Sequence, residues 1–272
     1  MLTNIKEMFL KLLNIKQKPT RDEIFANSRI FEKPVVLYFS PHQDDEVLTL
    51  GIDACNEIKQ GKQPHVVLCV DGSMSAVRER LGNGESCNKH EGVHNYKLNI
   101  AQFIAARDRE FQFSCAALGY NPSDVHFFPM RAIDQELSLE MAEMLIKSVI
   151  SQYPQGVAVR TISPFGGEKQ HKDHKMLGQA ALNLFNQGII KDLKLFIEPY
   201  CVAACRSEHP EIKLTSVTPN EQTHEYLRNA LAQYSKWDPA DQRYALGFHS
   251  VAGQFDRFLD KPVAYYHIPI KE

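Results

Sequence analysis

Short apolar runs alternate with longer stretches in which apolar residues return every three or four positions, and this alternation organises most of the chain. Residues 35–40, 65–70, 125–129, 157–162, 193–202 and 263–268 read as strands, being rich in β-branched and aromatic side chains. Residues 45–60, 96–118, 137–152, 171–186 and 221–236 carry the helical period. Strands alternating with helices of this length imply crossover connections, so the predicted class is α/β with a mainly parallel sheet flanked by helices. Thr218-Pro219-Asn220-Glu221 has capping-box spacing ahead of the helix at 221, and Gly61 stands where the first long helix should stop. Residues 71–94, rich in Gly, Asn, Ser and charge, read as a long loop, which inside a compact domain is usually functional or mobile.

The N-terminus has a pattern of its own. Leu2, Ile5, Phe9, Leu12 and Leu13 recur at helical spacing, while Lys6, Glu7 and Lys11 break the run. It therefore lacks the apolar core of a signal peptide. The expected organisation is an amphipathic helix and linker over 1–21, then a single domain over 22–272. The helix is expected to pack on the domain; peripheral membrane contact through residues 1–15 is the alternative.

Composition narrows the function classes. With 272 residues there is ample chain for one large α/β domain. The balance of 31 basic against 33 acidic residues gives no global field for nucleic acid. No stretch has the unbroken apolar length of a membrane span. The six cysteines include no Cys-x-x-Cys and several sit in apolar surroundings, which points to reduced thiols and a cytoplasmic protein. Cys201 and Cys205 are a weak metal or redox pair, better read as small core residues.

The chemistry collects where the first strand ends. Ser40-Pro41-His42-Gln43-Asp44-Asp45-Glu46 follows the apolar run directly, and in open α/β sheets ligands bind just outside the carboxyl ends of strands. His42 and Asp45 can grip one divalent ion, leaving Asp44 between them as a base. A third ligand is available from His171-Lys172-Asp173-His174, in which one histidine would ligate and the other act beside it. Three protein ligands with an open position is the pattern of a catalytic zinc site. The rival reading, helix-capping aspartates and surface histidines, does not account for two such clusters in one chain. His90-Glu91-Gly92-Val93-His94 matches the zinc-protease pattern His-Glu-x-x-His. That motif needs a stable helix, and Gly92 after a Gly- and Asn-rich stretch argues against one.

Pro41-His42-Gln43-Asp44-Asp45-Glu46 resembles the Pro/Ala-His-Pro-Asp-Asp-Glu signature of the LmbE/PIG-L family of zinc-dependent N-deacetylases, and His171-Lys172-Asp173-His174 resembles that family's His-Pro-Asp-His. Val70-Asp71-Gly72, Arg107 with Glu110 ahead of Leu118-Gly119, and Asp134 before Glu136-Leu137 resemble three weaker features in the same order. The resemblance runs from about Val35 to Ala181. It implies a Rossmann-like domain and hydrolysis of an N-acetyl group on an N-acetylglucosamine-type sugar or conjugate. Carried over by position, it implies His42, Asp45 and His174 as ligands of Zn2+ (Fe2+ being the other divalent candidate), Asp44 as general base and His171 as the catalytic imidazole. Arg107 and Asp134 become candidate sugar contacts. Gln43 and Lys172 depart from the family's prolines, and the 71–94 segment and everything after Leu184 match no feature of the pattern. The expected function is therefore metal-dependent N-deacetylation of a small amino-sugar substrate. The alternatives are an amidase or esterase on a non-sugar substrate, or a sugar-binding protein with a retained metal site.

Overall fold

Every residue of β1 (Val35–Ser40) is buried. Val36 and Tyr38 face one apolar cluster while Val35, Leu37 and Phe39 face another. A strand apolar on both sides needs cover on both sides, the condition that parallel sheets meet with crossover helices. The computed structural model describes residues 33–86, 89–90 and 93–270. The helix and linker expected over 1–21 lie outside them.

Along the chain β1 is followed by α1 (Asp45–Leu48), α2 (Gly51–Lys59), β2 (Gln63–Val70), α3 (Val77–Gly82) and the two-residue strands β3 (Glu85–Ser86) and β4 (Val93–His94). Then come α4 (Ile100–Leu118), β5 (Val125–Ala132), α5 (Leu139–Ile150), β6 (Ala158–Ile162), α6 (Lys172–Asn186) and β7 (Asp192–Ile197). The last third adds α7 (Val202–Glu208), β8 (Thr215–Val217), α8 (Glu221–Tyr234), β9 (Trp237–Asp238), β10 (Arg243–Tyr244), α9 (Leu246–Asp260) and β11 (Ala264–His267).

The main sheet has the order β5-β2-β1-β6-β7-β11-β8. Its first five strands are parallel, with β1 between β2 and β6 (Leu37 opposite His65 and Val159), while β11 runs antiparallel to both β7 and β8. The chain builds outward from β1 through β2 to β5, then returns to β6 on the other side. The carboxyl ends of β1 and β6 therefore flank a topological switch point, where a Rossmann-like sheet opens a crevice. Residues of α2, α4, α8 and α9 complete one core cluster, and those of α5 and α6 the other.

The expected elements are present, with informative differences. The helix over 45–60 is broken: the Asp45 carbonyl accepts from both Thr49 and Leu50, each at 3.1 Å, which widens the turn and restarts the helix at Gly51. The strand over 193–202 stops at Ile197, because Pro199 has no N–H to give to a ladder and a 3₁₀ turn leads into α7 instead. The edge strand β5 continues past Pro129, as an edge allows. Asn220 rather than Thr218 caps α8, accepting from Thr223 N at 2.9 Å. Gly61, at φ 79°, follows α2 as expected. Residues 71–94 are not one loop; they hold α3 and the β3–β4 pairing. No helix among the described residues is long and apolar enough to cross a membrane.

Candidate active site

The turn after β1 is shaped by its own polar groups. Asp44 has φ 112°, a backbone conformation that costs a non-glycine residue about 1–3 kcal/mol. Its N–H donates to Glu46 Oε2 at 2.9 Å. Glu46 is itself fixed from behind by the hydroxyls of Ser114 (2.6 Å) and Tyr234 (2.9 Å) on Oε1. Asp44 makes no side-chain cap on α1, which leaves its carboxylate for the crevice. The Asp45 carboxylate turns back to accept from His42 N at 3.0 Å. Neither aspartate therefore serves as an ordinary helix cap.

Across the switch point, His171 caps α6 and His174 lies one turn further in. This brings three donor atoms together. His42 Nδ1 lies 2.9 Å from His174 Nε2, His174 Nε2 lies 3.0 Å from Asp45 Oδ2, and His42 Nδ1 lies 3.5 Å from Asp45 Oδ2. A tetrahedral ion with bonds of about 2.1 Å holds its ligand atoms about 3.4 Å apart, so the triangle fits a zinc-sized divalent ion with slight expansion. The other nitrogens agree. His174 Nδ1 is 2.8 Å from Glu198 Oε1, and His42 Nε2 is 3.2 Å from Asp134 Oδ1 and 3.3 Å from Asp173 Oδ2. Carboxylates beside the far nitrogen of an imidazole favour a proton there and leave its near lone pair free for a metal. Asp173 is held in turn by the N–H groups of Gln135 (2.7 Å) and Leu137 (3.2 Å).

His171 is differently placed. Its Nδ1 accepts from Asp173 N at 3.2 Å, so its proton sits on Nε2, 3.7 Å from Asp134 Oδ1. Burial, and after it the imidazoles of His42 and His174, lowers its affinity for a second proton. Asp44 moves the other way: burial and then the Asp45 carboxylate push its carboxyl up, against the pull of Arg107. Asp45 stays well below the usual carboxylate range because His174, by charge and hydrogen bond, outweighs the opposing effect of burial.

These groups line an open cavity of about 420 Å³ with Arg107, Gln135, Ser75, Ser250, Gln254 and others. Arg107 donates to Gly72 O (2.9 Å) and Gln43 O (3.0 Å) and lies 3.9 Å from Asp44 Oδ2. Gly72, at φ 68°, is required there: a Cβ would stand 2.4 Å from Gln43 Oε1 and 2.6 Å from Arg107. Gln43, in the family's proline position, ties its turn by donating to Asp71 O (3.2 Å) and Asp108 Oδ1 (2.9 Å). Lys172, in the other, donates to Gln135 O at 3.1 Å. All seven residues expected at the site thus converge, with Asp134 on His42 as well as on the cavity wall. The sequence reading missed Glu198 and the wall from α9. Glu198 had one signal, an acidic residue at the end of an apolar strand.

Of the His-Glu-x-x-His stretch, His94 is in β4 and His90 in a bend, so the two imidazoles are not presented by one helix as the protease motif requires. Cys201 and Cys205 are buried with Ile197 and Val202 as core residues, and the described cysteines are free thiols.

Residues 37–185, more than half the chain, match the PIG-L family profile, described as GlcNAc-PI de-N-acetylase. No curated protein matches the sequence. Among solved structures the chain is similar to a triple mutant of a deacetylase from the teicoplanin biosynthetic pathway, with 17% identity and a TM-score of 0.62 over 87% of this chain and 98% of that one. It is also similar to N,N'-diacetylchitobiose deacetylase from Pyrococcus horikoshii (17% identity, TM-score 0.54, 99% and 92% covered). A third is the A40926 pseudoaglycone deacetylase (16% identity, TM-score 0.59, 88% and 97% covered). At such identities the likeness is one of fold.

Proposed function

Because the chain belongs to the PIG-L family of GlcNAc-PI de-N-acetylases, we propose that it is a zinc-dependent hydrolase that removes the N-acetyl group from an N-acetylglucosamine-type sugar or conjugate. The observation that carries this reading is the triangle of His42, Asp45 and His174 donor atoms beside the Asp44 carboxylate, which caps no helix and lies 3.9 Å from Arg107. Those three residues would hold the ion, which when bound supplies Lewis-acid polarisation of the amide carbonyl and acidifies water. Fe2+ would suit the same donors.

The chain's own groups supply the rest. Asp44 takes the proton of the water that attacks the amide carbon; a carboxyl raised by burial and by Asp45 is matched to that task near neutral pH. His171 donates from Nε2 to the amide oxygen as negative charge develops there. Burial and the neighbouring His42 and His174 disfavour an imidazolium at His171, so Asp44 carries the proton onward to the leaving amine. Arg107 fixes the Gln43 and Gly72 carbonyls and so positions the Asp44 turn. A second cavity of about 350 Å³ shares Leu48, Tyr200 and Gln254 with the first and adds Pro199 and Phe258. Arg257, Asp260 and Lys261 also line it, and it offers room for whatever the sugar is attached to.

The test is amine and acetate release by zinc-loaded protein from N-acetylglucosamine, from its glycosides with apolar aglycones, and from N-acetyl amino acids. Release from the sugars is expected, falling about 10²–10⁴-fold in Asp44→Asn with metal retained. Release confined to the amino-acid amides, or none with metal content verified, would refute the reading.

A further inference from the structure

We propose that His90, His94 and His249 form a second site for a divalent transition metal, separate from the catalytic cavity, which staples the β3–β4 segment to the start of α9. Among the described residues this is the one group of metal-capable side chains that shares no member with that cavity, and its donor atoms lie within 4.8 Å of one another. The ring centroids form a nearly equilateral triangle, 5.2 Å between His90 and His94, 4.7 Å between His94 and His249 and 5.5 Å between His90 and His249. Three imidazoles bound tetrahedrally at about 2.1 Å place their centroids about 5 Å apart.

Two independent observations point to a ligand. His249 is 5% exposed, and its ring nitrogens make no well-formed hydrogen bond, only a looser approach to the backbone of Ala245 and Tyr244. Buried polar groups almost always have partners, and an orphan in a native fold calls for an unseen ion or water. His90 Nε2 lies 2.6 Å from the Ser235 carbonyl oxygen. A neutral ring donating there leaves Nδ1 as a lone pair, the tautomer that metal-binding histidines adopt when a backbone carbonyl fixes their far nitrogen. Burial lowers the His249 imidazole from its ordinary value, with the nearby backbone of Ala245 opposing, so its neutral form is available at pH 7. The surroundings are aromatic: Trp237 stacks on His94 at 3.7 Å, and Phe248 meets His90 edge-on. Arg80 donates to the His249 carbonyl oxygen.

Three neutral imidazoles select zinc, copper or nickel over magnesium or calcium. The site would lie next to Ser250 and Val251, which line the catalytic cavity, at the point where α9 departs from helical geometry (Val251 φ −135°, ψ 40°). A metal here fixes one wall of the crevice to a segment that the catalytic ligands do not touch. The role is structural, and it stands independently of the proposed chemistry.

The experiment uses the full chain, stripped with a chelator, reloaded with zinc chloride and dialysed before elemental analysis. The His42→Ala/His174→Ala variant, checked for folding by circular dichroism, should retain about one equivalent of zinc. His90→Asn on that background should lose it; His90 is only partly buried, so this change should be tolerated. The same pair titrated with Co2+ should show a d–d absorption band in the first variant and none in the second. Zinc should raise the Tm of the first variant and leave that of the second unchanged. A folded His42→Ala/His174→Ala protein that binds neither zinc nor Co2+ at micromolar concentration overturns the proposal, as does binding unaffected by His90→Asn. If His42→Ala/His174→Ala leaves the wild-type zinc content intact while His90→Asn lowers it, the second site stands and the catalytic ligand assignment falls.

Discussion

Glu198 should control metal affinity without being a ligand. Its Oε1 lies 2.8 Å from His174 Nδ1 and also accepts from the Tyr200 hydroxyl, while its Oε2 lies 3.4 Å from Gln170 Nε2. The residue is 2% exposed, so water cannot take its place readily. Glu198→Ala removes the carboxylate that lies against His174 Nδ1 and favours a proton on that nitrogen. Losses of this kind cost about 10–100-fold in metal affinity, or roughly 1.4–2.7 kcal/mol. Glu198→Gln keeps an oxygen that can accept from Nδ1–H but gives up the charge, so its loss should be smaller and lie nearer the lower bound. The assay is competition for zinc between the apo-protein and a chromophoric chelator, with circular dichroism as the folding control. Wild-type affinity in folded Glu198→Ala would show that His174 is oriented by something else, and the argument from that 2.8 Å contact would be wrong.

Asp45→Ala should lose metal and activity together, since it removes the one anionic donor of the triangle; elemental analysis showing full zinc content would contradict that. Glu110 accepts from Leu246 N (2.8 Å) and Gly247 N (3.0 Å) at the start of α9, so Glu110→Ala orphans two buried donors and should cost about 2–6 kcal/mol in urea unfolding, with Glu110→Gln in between. Burial and then His209 hold the His267 imidazole down at about 4, beside Ser163 Oγ at 2.9 Å. The folded state therefore binds fewer protons than the unfolded one: the stabilisation is full above about pH 6.5 and is lost as pH falls toward 4, on the order of 3 kcal/mol in all. His267→Phe should flatten that part of the stability–pH curve, and an unchanged slope in urea titrations between pH 7 and 4.5 would refute the assignment.

What was legible in the sequence and what was not follow from where each group's partners come from. His42 and Asp45 are three residues apart in one turn, and His171 and His174 three apart at one helix start, so each half of the site carries its own spacing. The alternation that implied a parallel sheet also implied that these halves sit at strand ends, and β1 and β6 proved to be neighbours. Residues that act through another side chain have no such spacing. Asp173 could be read as part of His-x-Asp-His, yet nothing in that motif says it faces His42 rather than solvent. Glu198 is a single acidic residue 24 positions beyond the histidine it touches. What singles it out is that β7 lies beside β6 in the sheet, so the first residue past its carboxyl end opens onto the same crevice. Strand order was the missing information. The same reasoning explains His249: its partners approach from a segment that reads as loop, and the His90–His94 spacing suggests a helix where the chain forms a bend and a strand. Local spacing reveals which residues can bind, whereas strand neighbours determine which of them are held ready to do so.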